Sequence, residues 1–140
     1  MGGRAIEQQH ILECIQQALD DKKGGDLIVL DVRSLSYITD FFVIVTGNNP
    51  PHLKALTEHV AFVTKANGFR AKGRSGTPES GWIVLDFVDV VVHVCSPETR
   101  AYYALEELWS DARPIDLRNG TADSGIADDD NYVESTANKS

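Results

Sequence analysis

Residues 100–109 read Arg-Ala-Tyr-Tyr-Ala-Leu-Glu-Glu-Leu-Trp, an amphipathic stretch with an unusual outer face. At about 100° per residue, Ala101, Leu105, Leu108 and Ala112 fall on one side with Trp109 beside them. Tyr103 and Glu106 fall together on the other, next to Glu107. An aromatic ring held outward beside fixed carboxylates is the chemistry of a contact surface for a basic partner. The same spacing also accommodates a Tyr103 that lies flat on a neighbouring element.

Catalytic chemistry finds weaker support. Gly73, Gly76 and Gly81 have neither the Lys-Ser/Thr ending of a phosphate loop nor GxGxxG spacing. The four histidines, His10, His52, His59 and His93, stand at no recognised metal-ligand spacing, so no metal or other cofactor is expected. His93 and Cys95 are two apart and share a strand face, which permits a Cys–His nucleophile pair, although core packing explains both residues more simply. Metal-dependent nucleotidyl transfer needs carboxylates converging on two cations. Asp86 and Asp89 are three apart and would flank a turn rather than converge, and Asp31 and Asp40 stand at the two ends of one connection. The expectation is a protein that binds rather than catalyses. A nucleotide-binding domain is the competing reading, separable by Mg²⁺-dependent nucleotide binding.

Composition agrees with a protein-binding role. The chain of 140 residues has a formal net charge of −8, and residues 119–140 hold five acids and one lysine. An acidic body lacks the clustered Lys and Arg that bare nucleic acid demands, yet it suits docking to a basic protein, including one bound to nucleic acid. No run approaches the roughly 18 apolar residues of a membrane span, and no signal-like segment opens the chain, so a cytoplasmic protein is expected. Cys14 and Cys95 sit in apolar contexts and read as buried thiols.

The elements that position these residues follow from periodicity. Ile11, Leu12, Ile15, Ala18 and Leu19 give a helix over 5–20, stopped by Gly24-Gly25. Residues 26–31 and 40–46 are apolar runs suited to strands. Pro50-Pro51 opens a second helix whose stripe is Leu53, Leu56, Val60 and Val63, ended by Gly68. Residues 69–72 offer a further strand, and 73–81 are a loop by composition. Trp82–Phe87 and Asp89–Val94 form a hairpin, with Ile83, Leu85, Phe87, Val90, Val92 and Val94 towards the core. That leaves Trp82, Asp86 and His93 on the less apolar face. Ser96 is placed to cap a final helix. The expected fold is a compact α/β layer, a small mixed sheet with flanking helices, in one domain over 1–118. The acidic tail, 119–140, is expected to be disordered.

Four segments together resemble the ribosomal silencing factor, or Iojap, family. They are Thr39-Asp-Phe-Phe-Val-Ile44 with Thr46-Gly47, Trp82-Ile-Val-Leu-Asp86, Asp89-Val-Val-Val-His93, and Arg100-x-Tyr-Tyr-x-Leu-Glu-x-Leu-Trp109. The likeness spans about residues 5 to 112. It implies a fold similar to nucleotidyltransferases but without their catalytic carboxylates. It further implies binding to protein fourteen of the large ribosomal subunit, obstruction of small-subunit joining, lowered translation under nutrient limitation, and a homodimer off the ribosome. A role in large-subunit assembly through the same surface is the alternative. Carried over by position, Trp82, Tyr103, Leu105 and Glu106 are the contact residues, with Asp86 and His93 in support. Leu105 sits uneasily there, because helical phase turns it towards the core. One departure concerns the hairpin: Val88 stands where family members commonly have glycine, and valine disfavours the positive φ of a tight turn.

Overall fold

The computed structural model describes residues 2–35, 39–103 and 113–114. In chain order they form α1 (Gly2–Asp21), β1 (Gly25–Asp31), β2 (Phe41–Thr46), α2 (Pro50–Ala66), β3 (Gly73–Thr77), β4 (Trp82–Asp86), β5 (Val90–Cys95), α3 (Pro97–Tyr103) and β6 (Arg113–Pro114). The six strands make one mixed sheet in the order β3-β4-β5-β2-β1-β6. Four neighbouring pairs are antiparallel, and β2 with β5 is parallel. A parallel pair needs a crossover. Here α2 and the β3–β4 hairpin supply it.

Local chemistry sets the helix ends. Asn49 caps α2 by accepting the His52 N–H at 2.9 Å, and Pro50 and Pro51 occupy the first turn, where missing N–H groups cost nothing. His52 in turn ties α2 to the end of α1. Its Nδ1 accepts the Asn48 N–H at 2.9 Å, so its Nε2 is the nitrogen left to donate to the Lys22 carbonyl at 2.7 Å. Gly24 lies where the chain leaves α1 and passes under α2. A Cβ there would stand 2.6 Å from Val45 Cγ2, so only glycine allows this approach.

Both long helices cover one face of the sheet. Leu12, Ile15 and Leu19 of α1 and Leu53, Leu56 and Val60 of α2 pack with Val43, Val45, Ile83, Leu85, Val92 and Val94. Burying each such side chain contributes about 1.5–3 kcal/mol. The opposite face is more thinly covered. It centres on Leu30, Val32, Ile44 and Cys95, with Ile28, Phe42 and Trp82 partly buried around them.

The third strand is displaced from its expected place. Residues 69–71 are irregular, although Phe69 and Ala71 pack on the core, and the strand occupies 73–77, within the stretch that composition marks as a loop. All five of its residues are exposed. It has no apolar alternation of its own, and pairing from Gly73 opposite Asp86 to Thr77 opposite Trp82 makes it a strand. The α/β class, the core alternation of β4 and β5, and the burial of both cysteines are as expected.

Candidate functional site: an aromatic file from sheet to helix

Cross-strand register decides what lines the thinly covered face. Trp82 lies opposite Cys95, Val84 opposite His93, and Asp86 opposite Val91. On the far side of β5, Phe42 pairs with Val91 and Ile44 with His93. His93 is therefore diagonal to both Trp82 and Phe42, a separation that aromatic side chains can span. The structure fills it. The ring centroids of His93 lie 5.2 Å from Phe42, edge to face, and 6.0 Å from Trp82. The Trp82 indole donates from Nε1 to His93 Nδ1 at 3.1 Å.

The third partner comes from α3. Ser96 caps this helix, its Oγ accepting the Thr99 N–H at 3.1 Å, while its own N–H donates to the Gly81 carbonyl at 2.8 Å beside the start of β4. One turn later the buried Arg100 reaches Thr46 at the end of β2. Pinned at both points, α3 lays Tyr103 against Trp82 with centroids 5.0 Å apart and planes tilted by 44°. Tyr102 meets Tyr103 edge to face at 4.8 Å. Phe42, His93, Trp82, Tyr103 and Tyr102 thus form a continuous file of five rings. It rises from a partly buried sheet position to Tyr102, which is 82 % exposed.

Sequence reasoning places Trp82 and Tyr103 separately on outward faces, and the structure brings the two together. Tyr103 takes both of its alternatives at once, lying against Trp82 while remaining 50 % exposed. His93 joins the same group through Trp82. Asp86 does not: its Oδ1 accepts the Val88 N–H at 2.7 Å and braces the hairpin tip. Leu105 and Glu106 lie outside the described residues, as do the stretch expected to continue the final helix beyond Tyr103 and residues 119–140. Tyr102 was missed by sequence reasoning. Its helical phase, about 100° from Ala101 and close to that of Trp109, sets it only at the flank of the apolar stripe, so local periodicity gave no clear outward signal.

The electrostatics of the group are simple. Burial pushes the His93 pKa down to about 4, so the ring is neutral at ordinary pH. A neutral imidazole that accepts at Nδ1 carries its proton on Nε2. No group of three or more His, Cys, Asp or Glu among the described residues could hold a metal ion. Asp31 is engaged by Arg33, whose Nε and Nη2 donate to its two oxygens at 3.0 and 2.8 Å. Asp40 accepts from Gln8 at 2.6 Å. Both of these carboxylates are thus engaged by side chains of the protein itself. No helix among the described residues is long and apolar enough to cross a membrane.

Comparison with known proteins agrees with the four sequence segments. Residues 5–140 match the family model described as "Ribosomal silencing factor during starvation". The chain is 36% identical over 115 residues to a ribosomal silencing factor of Bacillus subtilis, covering 82% of this chain and 98% of that relative. It is 34% identical over 118 residues to the chloroplastic Iojap protein of Zea mays, covering 80% of this chain and 51% of the maize protein. A crystal structure of a Chromobacterium violaceum protein superposes with a TM-score of 0.70 at 37% identity, covering 72% of this chain and 84% of the other. The chain belongs to the ribosomal silencing factor family.

Proposed function

We propose that this protein silences translation by occupying the large ribosomal subunit, docking on its protein fourteen and obstructing the small subunit. One observation carries the choice of surface: the Trp82–Tyr103 contact, with Tyr102 beyond it, offers anchored aromatic area at the protein surface. Aromatic anchors that are already ordered lose little side-chain entropy on binding, and such residues dominate interface energetics. The acidic charge of the chain favours a basic partner and speeds its encounter. Leu105 and Glu106 complete the contact in this reading, with Glu106 meeting a Lys or Arg of the partner. The action is steric and calls for neither cofactor nor metal.

Co-sedimentation with isolated large subunits, followed by addition of small subunits, tests the proposal. Saturable binding with fewer joined ribosomes is expected. Binding with normal joining would transfer the role to subunit assembly. Failure to bind, where a known family member binds, would refute the proposal.

A further inference from the structure

Trp82 has a polar group that must be satisfied wherever its ring packs. An indole N–H turned into a partly apolar surface without an acceptor is costly. The described residues offer one at 3.1 Å, the Nδ1 of His93. That imidazole is itself constrained, with Phe42 set edge to face against its ring and β5 central in the sheet. The acceptor is therefore fixed by the core, and the donor can meet it in few orientations. Tyr103 then rests on the indole so held. Hydrophobic area alone would satisfy Trp82 in several ring planes, whereas a hydrogen bond selects one.

We propose that His93 is a positioning residue for partner recognition: by accepting the Trp82 indole proton it sets the plane of the ring against which Tyr103 packs. This rests on the reading of the Trp82–Tyr103 patch as the docking surface. It assigns His93 no contact with the partner. It also explains the residue type, since leucine or phenylalanine at 93 would fill space but remove the acceptor. Asparagine would keep an acceptor near the position of Nδ1.

The full chain has two tryptophans, so its indole N–H resonances can be assigned with a Trp109→Phe variant. Two properties are then measured for wild type, His93→Leu and His93→Asn: solvent exchange of the Trp82 indole proton in the isolated protein, and affinity for large ribosomal subunits. His93→Leu should speed indole exchange and weaken binding, each by roughly tenfold, the scale of one lost hydrogen bond. His93→Asn should recover most of both. An unchanged indole in folded His93→Leu, or wild-type affinity despite a freed indole, would overturn the proposal. Asparagine behaving like leucine in a folded protein would do the same. If His93→Leu does not fold, wild type decides: its Trp82 indole proton should exchange at least about tenfold more slowly than free indole, and an unprotected proton would overturn the idea. Should wild type itself fail to bind large subunits, the docking proposal falls, while the exchange arm still decides whether His93 holds Trp82.

Discussion

Arg100 Nη1 donates to Thr46 Oγ1 at 2.8 Å, a buried contact that fastens the helix carrying Tyr103 to the end of a central strand. Removing the guanidinium leaves the buried hydroxyl without this donor and removes one of the two points that pin α3 to the sheet. Arg100→Met should cost about 1.5–3 kcal/mol by urea unfolding, the range for a hydrogen bond to a charged group. It should also weaken large-subunit binding beyond what the lost stability explains. Unchanged stability would mean that the contact does not hold the helix.

Val88 is held at a φ of 76°, and the Asp89 N–H donates to the Phe87 carbonyl at 2.9 Å across it. This is a three-residue γ-turn of the rare, strained kind, centred on a β-branched residue. Val88→Gly should relieve the strain while adding unfolded-state entropy, for a net gain of about 0.5–1 kcal/mol. Val88→Asn should also stabilise the fold, since asparagine tolerates positive φ. Thermal melts of the two variants check this, and a loss in both would show that the valine side chain contributes packing that outweighs the strain.

His93 makes stability depend on pH. Its pKa falls from an ordinary 6.5 when unfolded to about 4 when folded, so between these values the unfolded chain binds more protons. Stability is then complete above about pH 6.5 and declines as pH falls towards 4, by on the order of 3 kcal/mol. His93→Asn should flatten that part of the profile. Chemical denaturation from pH 4 to 8 supplies the comparison, and equal slopes for wild type and variant would contradict the assignment.

Gly76 has a φ of 85°, and a Cβ there would collide with the Trp82 carbonyl across the β3–β4 pair. Gly76→Ala must either push β3 away or shift Trp82. It should destabilise the protein by more than about 1 kcal/mol and move the Trp82 indole resonance. A silent substitution would imply that the edge strand yields without disturbing β4.

The readable parts of this chain were those governed by neighbours in sequence. Alternation in β4 and β5 gave the correct core face, and Pro50-Pro51 and Ser96 marked helix starts, because these signals act over a few residues. β3 was illegible because Gly73-Arg-Ser-Gly-Thr77 becomes a strand through β4 alone. The site was half legible. Strand alternation turned Trp82 outward and helical phase turned Tyr103 outward, but their adjacency depends on where Arg100 anchors α3. The His93 acceptor depends on a diagonal across two strands, which no local pattern encodes.

The Arg100–Thr46 contact joins residues 54 positions apart, and the parallel pairing of β2 with β5 spans a similar distance. Contacts of such long range close late, because the intervening chain must first give up its freedom. The hairpin bearing Trp82 can form early, but Arg100 cannot fasten the helix carrying Tyr103 until β5 has docked on β2. During synthesis, then, a growing chain cannot present the complete aromatic file before its penultimate elements have emerged and folded. With the file as the proposed docking surface, a growing chain would thereby be kept from engaging ribosomes through a half-made surface.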